Sequence, residues 1–161
     1  MDSDTVKLVI SVVSALVAVI SAVLANRTRV QARSDLFENQ RDSLVLAMAD
    51  NDNRIAYLVL SAGALRQQIS DLLEQANSDD IAEANRLMKN LAEIAAAAQA
   101  LARREYSEES LERIAYSEES IQLLRRNARS EQIIAKSLRN EGYGLVFDYA
   151  KNVIAKLSPR R

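Results

Sequence analysis

Residues 8–25 read LVISVVSALVAVISAVLA, an 18-residue run that contains no charged side chain. At a rise of about 1.5 Å per residue, a helix of this length spans roughly 27 Å, slightly less than the ~30 Å hydrocarbon core of a bilayer. Lys7 on one side and Asn26 on the other can reach the headgroups and cover the difference. The run therefore predicts one N-terminal transmembrane helix.

The residues that flank the run indicate its orientation in the membrane and whether it is cleaved or retained. A cleaved signal peptide is the alternative interpretation, but the run is longer than the usual h-region, and Asp2 and Asp4 stand where a basic n-region is expected. Arg27, Arg29 and Arg33 follow the run, and basic residues of this kind stay in the cytosol. We therefore expect a retained single-pass membrane anchor, with the N-terminus outside and the C-terminal domain cytosolic.

Small and hydroxyl-bearing residues recur through the run at alternating spacings of three and four. They are here named the seam: Ser11, Ser14, Ala18, Ser21, Ala25, Thr28 and Ala32. This heptad-like spacing places them on one helix face. In lipid, small side chains let helix backbones approach closely, and hydroxyl groups hydrogen-bond across the contact. The seam predicts a homo-oligomer, and a narrower version of the hypothesis has it lining a pore.

The composition favours helices and excludes several classes of chemistry. Only three glycines and one proline occur among 161 residues, so long helices form easily. The absence of cysteine and histidine excludes disulfides, thiolate or imidazole metal sites and a Ser-His-Asp triad. We therefore expect a protein that is not an enzyme and that has no cofactor and no metal site. A net charge of -1 makes nucleic acid an improbable partner.

The expected fold class is all-α, with the transmembrane helix continuing into a cytosolic antiparallel helical bundle. Residues 1–49 are assigned to the first part, in which Val30, Phe37 and Leu44 recur every seven residues and would prolong the self-association. The run Asp50-Asn51-Asp52-Asn53 is expected to end this helix and to cap the next one. Residues 50–161 then form the bundle. Apolar stripes predict its helices over residues 55–76, 84–101, 107–138 and 145–157.

Two local patterns concern the ends of these helices. The pentapeptide YSEES occurs at residues 106–110 and again at residues 116–120. We expect Ser107 to cap the fourth helix and the second copy to be a duplication within it; an acidic or phosphorylatable patch is the alternative. Gly142, close to Asn140, is expected to be the C-cap of that helix.

One dipeptide resembles part of a known motif. HEPN-class ribonucleases carry an arginine and a polar residue followed by a histidine, and Arg126-Asn127 resembles the first half. Because the chain has no histidine, the resemblance implies a degenerate bundle. In organisation the chain is similar to membrane-anchored, oligomeric accessory proteins with inactive HEPN-like bundles in some CRISPR defence systems.

The functional hypothesis follows from the predicted architecture. We expect a single-pass, self-associating scaffold or adaptor that contacts the lipid bilayer and binds a cytosolic protein partner of unknown identity. An oligomeric pore former or another membrane-perturbing effector, such as a defence-system accessory, is the alternative. The basic C-terminal residues are candidates for contacts with lipid headgroups or another anion: Lys151, Lys156, Arg160 and Arg161.

Overall fold

A computed structural model describes the backbone of residues 3–73 and 78–158. It does not describe the side chains of residues 3–10, 12, 13, 78 and 79. Every regular element in this part of the chain is an α-helix, so the all-α prediction is confirmed. The helices are α1 (Ser3–Leu73), α2 (Ser78–Leu101), α3 (Glu108–Glu112), α4 (Glu118–Leu138) and α5 (Glu141–Leu157).

The long helix α1 is the axis along which the remaining helices pack. α2 runs antiparallel to α1, because a short link joins the two and yet Arg104, just beyond α2, reaches Asp52 (Nη1–Oδ1 2.5 Å). The chain then descends past α3 to Tyr116. There the ring of Tyr116 packs edge-on against Phe37, with ring centroids 5.6 Å apart. α2 and α3 thus form one descending pass beside α1.

The last two helices ascend again, in the direction of α1. In α4, Glu131 accepts a hydrogen bond from Asn51 (Nδ2–Oε2 2.7 Å), and both residues lie farther along their helices than the Tyr116–Phe37 contact. In α5, Tyr149 donates a hydrogen bond to Glu83 near the start of α2. The chain therefore forms an up–down–up bundle of three passes, made by α1, by α2 with α3, and by α4 with α5.

Two apolar clusters fill the bundle, one above the other. The upper cluster joins α1, α2, α5 and the end of α4, and the lower cluster joins α1, α3 and the first half of α4. The apolar stripes predicted over residues 55–76 and 84–101 supply most of the upper cluster, so both stripes are confirmed up to Leu73 and from Ala84 on, and Ala76 lies outside the described residues. On α1 the buried residues recur at heptad spacing, the pattern of helices that wrap in a left-handed supercoil: Phe37, Leu44, Met48, Asn51, Ile55, Leu58, Ala62, Leu65 and Ile69.

The helix break predicted at Asp50–Asn53 is wrong, because α1 passes through these residues without interruption. Three of the four side chains have partners elsewhere and do not compete for their own backbone. Asp50 accepts from Arg54 one turn later (Nε–Oδ2 3.0 Å), while Asn51 and Asp52 bond to α4 and to Arg104. The domain boundary drawn between residues 49 and 50 thus falls inside one continuous helix.

The predicted prolongation of the self-association through Val30, Phe37 and Leu44 is also wrong. Phe37 and Leu44 are buried in the lower cluster against Leu111 and Leu124, while Val30 is exposed. These heptad positions therefore face two different environments. The chain's own third pass covers the side of α1 that the repeat had assigned to a second copy.

The two YSEES copies have the same structural task, which corrects the prediction for the second copy. Ser107 caps α3 and Ser117 caps α4, each accepting a hydrogen bond from the backbone N–H three residues later (3.2 Å and 3.0 Å). A cap satisfies a backbone donor that the first helical turn leaves free. The second copy therefore starts a new helix instead of lying within the previous one.

The predicted C-cap at Gly142 is wrong as well. α4 ends at the C-cap Arg139, and Gly142 lies in the first turn of α5, which begins at Glu141 instead of Leu145. Asn140 is the N-cap of α5 and accepts a hydrogen bond from the Gly142 backbone N–H (3.0 Å). An asparagine that caps the following helix replaces the glycine that would have closed the preceding one.

The predicted transmembrane helix is covered only in part by the structure. Among the side chains that the structure describes, no helix has a segment long and apolar enough to cross a membrane. Of the predicted span at residues 8–25, positions 8–10, 12 and 13 lie outside these described side chains.

The core makes one direct prediction about stability. Leu91→Ala is expected to lower the free energy of unfolding by about 2–5 kcal/mol, because this fully buried side chain leaves a cavity that collapses incompletely. Leu145→Ala, at an exposed position of α5, is the matched control and should change it by less than about 0.5 kcal/mol. Urea unfolding in mild detergent, followed by circular dichroism, measures both. Equal losses in the two variants would contradict the assigned core.

Candidate functional site

The seam residues all lie on the surface of the N-terminal section of α1. Each of the seven is exposed, and no other helix covers this section, since the first buried residue of the described chain is Phe37. The Thr28 hydroxyl points back towards its own helix and donates to the Leu24 carbonyl one turn earlier (3.0 Å). The seam is thus a free helix surface that the bundle leaves uncovered.

Large apolar side chains share this exposed section with the seam. Each of these side chains is at least half exposed: Leu16, Val17, Val19, Ile20, Val23 and Leu24. At 100° per residue, three of them lie opposite the seam (Leu16, Ile20 and Val23) and the other three lie on its flanks. The section is therefore apolar in every direction, with bulky residues on one side and small ones on the other.

The predicted basic residues are also on the surface. Arg27, Arg29 and Arg33 are exposed on α1 immediately after the apolar section. Lys156 is exposed on α5, and Lys151 is exposed and pairs with Asp148 (Nζ–Oδ1 3.2 Å). The remaining two positions of the predicted anion contacts, Arg160 and Arg161, lie outside the residues that the structure describes.

The dipeptide that resembles half of a HEPN motif does not form one site. Arg126 is exposed and lies 3.8 Å from Glu105, which is an open surface contact. Asn127 is buried, and its backbone carbonyl accepts a hydrogen bond from Tyr106 (3.1 Å). The two side chains therefore belong to different environments, and the bundle does not bring them together.

Below the surface, the structure forms a buried polar cluster that the sequence patterns did not reveal. Its centre is Glu131 of α4, which is 1% exposed. Arg104 donates to both carboxylate oxygens (Nε–Oε1 2.5 Å and Nη2–Oε2 3.1 Å). Tyr106 donates to Oε1 at 2.8 Å, and Asn51 donates to Oε2 at 2.7 Å. The carboxylate thus accepts four hydrogen bonds from three residues, one on α1 and two in the link after α2.

The environment of the cluster shifts the pKa of its members. Burial alone would raise the pKa of Glu131, but the hydrogen bonds from Arg104, Asn51 and Tyr106 outweigh burial and lower it. Burial would lower the pKa of Arg104, and its bonds to Glu131 and Asp52 raise it above the usual range. Burial together with the bond to Glu131 raises the pKa of Tyr106 to about 12. The cluster therefore holds a paired carboxylate and guanidinium at neutral pH.

A signal for this cluster is present in the sequence, although it is weak. Asn51 occupies a heptad position between Met48 and Ile55, and Glu131 lies seven residues from both Leu124 and Leu138. A polar residue on an otherwise apolar stripe is either exposed or paired with a partner inside the core. The partner here is Arg104, which lies between helices and carries no periodic signal of its own.

An open groove lies beside the cluster, between α1 and α4. Its volume is about 610 Å³, and Asn51 and Glu131 form part of its floor. Amide and hydroxyl groups of Asn39, Ser43 and Gln132 line its walls. The small side chains of Ala128 and Ala135 leave the groove open. Within the described residues no group of three acidic side chains is placed to hold a metal ion.

Comparisons with known protein families, with curated proteins and with solved structures found no match to this chain.

The buried cluster makes a prediction about stability. Glu131→Gln is expected to lower the free energy of unfolding by about 3–5 kcal/mol at neutral pH, because Arg104 stays buried without its anion. Glu105→Gln removes the same charge at an exposed position and should change it by less than about 0.5 kcal/mol. Urea unfolding of both variants gives the comparison.

Wild type and Glu131→Gln together also test the direction of the pKa shift of Glu131. The pKa of Glu131 is lower in the folded than in the unfolded chain. Its contribution to the free energy of unfolding is therefore fully present above the pKa of the unfolded chain and is lost as the pH falls through the pKa of the folded chain. The stability gap between wild type and Glu131→Gln should therefore narrow below about pH 4, close to the usual glutamate pKa. A gap that widens on acidification would show that the carboxylate is not the paired species.

Proposed function

We propose that this chain is a single-pass, membrane-anchored helical protein that self-associates and acts as a scaffold or adaptor. In this proposal the apolar section of α1 crosses the bilayer, with the N-terminus outside. The bundle of three passes stands in the cytosol. It presents its surface to a protein partner.

The exposed apolar section of α1 is the observation that carries the proposal. A helix that is apolar on every side is typical of a buried or membrane-spanning segment. Burying a large apolar side chain stabilises it by about 1.5–3 kcal/mol, so six such residues in water would cost on the order of 10 kcal/mol. The bundle offers them no cover. Lipid on the bulky side and a second copy on the seam side together remove the cost.

The continuity of α1 supports a structural role. The helix extends without a break from the apolar section into both core clusters. Any orientation that the membrane imposes on the anchor is therefore transmitted to the bundle through a rigid rod. An assembly built on the seam would hold its bundles side by side at a fixed distance from the bilayer.

A pore-forming effector is the second candidate. It is favoured by one observation, the exposed hydroxyl groups of Ser11, Ser14 and Ser21 on a single helix face. In a ring of copies these hydroxyls would line the axis. Leakage of a dye from liposomes that contain the purified full-length protein separates the two candidates, since a pore releases the dye and a scaffold retains it.

Membrane insertion is tested by adding charge to the apolar section. Leu16→Arg combined with Ile20→Arg is expected to release the full-length protein from membranes, because each arginine at the centre of a span costs about 2.5–3.5 kcal/mol. Ile133→Arg combined with Leu145→Arg adds the same charge at exposed positions of the bundle and should stay bound. Extraction of membranes with alkaline carbonate gives the readout. Wild type found entirely in the supernatant would refute the anchor.

Self-association is tested on the seam. Ser14→Leu combined with Ala18→Leu is expected to shift the detergent-solubilised protein from a defined oligomer towards monomer, because bulky side chains keep the backbones apart. Val19→Leu combined with Val23→Leu enlarges exposed side chains outside the seam and should leave the oligomer intact. Light scattering coupled to size exclusion measures the mass. An unchanged mass in the seam variant would rule out this contact.

A further inference from the structure

α1 carries a second heptad stripe, outside the bundle. It is here named the outer face and consists of exposed residues at spacings of three and four: Leu46, Ala49, Asn53, Ala56, Leu60 and Gly63. Leu46 and Leu60 are 71% and 72% exposed, and the neighbouring Tyr57 is 65% exposed. Large and small residues alternate along this face, as in helix contacts where the large side chains fill the space above the small ones.

The outer face lies on the side of α1 opposite the core. Leu60 follows the buried Leu58 by two residues, which is a rotation of about 200°. A Cβ atom at Gly63 would meet no atom within 4 Å, so the bundle does not require glycine there. Glycine inside a helix costs about 1 kcal/mol relative to alanine. A helix that approaches this face closely gives the small residues a role that the monomer lacks.

The outer face continues the seam in the same register. The alternation of three and four that begins at Ser11 proceeds past Ala32 through Asp35, Asn39 and Asp42 to Leu46 without an insertion. A straight helix would drift by about 20° per heptad from such a repeat. The buried stripe of α1 follows the same repeat from Phe37 to Ile69, so this helix already has the left-handed wrap that a heptad contact needs.

Two charged residues just beyond the C-terminal end of the outer face favour a parallel orientation of the two helices. Numbered from Leu60 as position a, Arg66 falls at position g and Asp71 at the following position e. In parallel coiled coils these positions face each other across the two helices and form salt bridges. Both side chains are exposed. The polar stretch from Asp35 to Asp42 separates the two contact sections, and there Arg41 pairs with Asp42 (3.3 Å).

The area of contact shows that the outer face depends on the seam. A strip about 10 Å wide from Leu46 to Gly63 buries roughly 540 Å² over two copies, below the ~1,000 Å² of a stable interface. The two contact sections together, Ser11–Ala32 and Leu46–Gly63, bury roughly 1,200 Å² over two copies, which exceeds that threshold. The outer face is therefore sufficient only when the seam has already brought two copies together.

We infer that the outer face of α1 packs against the outer face of a second copy of this chain, parallel and in register. The inference rests on the proposed function, because membrane anchoring orients the copies alike and the seam sets the register. The contact extends from the bilayer into the cytosolic bundle.

Cysteine cross-linking of the full-length protein in membranes tests the contact, since the native chain contains no cysteine. Leu60→Cys is expected to form a disulfide-linked dimer on copper-catalysed air oxidation. Leu145→Cys is the matched control, because it is also a leucine that is 72% exposed, and it should stay largely monomeric. Ser21→Cys reports on the seam independently and should cross-link as well.

The outcomes separate this contact from the proposed function. Cross-linking at positions 21 and 60, at least fivefold above position 145, supports the inference. Cross-linking at position 21 without position 60 overturns the inference and leaves the membrane seam in place. No cross-link at either position refutes both. Equal cross-linking at positions 60 and 145 indicates random collision and overturns the outer-face contact, as does a heterologous protein linked to Leu60→Cys in place of a second copy.

Discussion

The carboxylate of Glu131 is the group on which the rest of the bundle depends. It is buried at the level where the upper and the lower apolar clusters meet, and α1, α4 and the link after α2 all contribute to its surroundings. A buried carboxylate without partners would cost several kcal/mol, so the fold must bring Arg104, Tyr106 and Asn51 to it together.

This polar layer also explains why the helices on either side of it differ in continuity. α1 passes straight through the layer, because Asn51 points inward and its amide nitrogen donates to the backbone carbonyl and the carboxylate of Glu131. The descending pass is interrupted between α2 and α3, and this interruption is what lets Arg104 and Tyr106 turn into the core. Serine caps then restart the helix twice within a few residues, at Ser107 and at Ser117. One buried charge thus accounts for a break in one pass and for its absence in another.

The bundle uses one side of α1 and leaves the other side and the whole N-terminal section uncovered. Heptad repeats on both sides make the helix suitable for packing within the chain and between chains at once. The proposed assembly assigns the inner repeat to the bundle and the seam with the outer face to a second copy. In that arrangement membrane anchoring supplies the orientation, and the rigid helix carries it to the cytosolic surface.

The sequence by itself determined the helical class, the apolar stripes of residues 55–76 and 84–101, and the cap at Ser107. Apolar surface at a period of 3.6 can be buried only on a helix, so these features follow from local chemistry. Only the tertiary structure decided three other features. Asp50–Asn53 is helical, Asn140 begins a new helix where Gly142 was expected to end the preceding one, and Phe37 faces the chain's own core. For Asp50–Asn53 and Phe37 a partner distant in sequence overrides the local preference, whereas at Asn140 the N-cap of the next helix replaces the expected glycine C-cap. The Glu131 cluster is the extreme example, since its four donors come from segments that no single pattern connects.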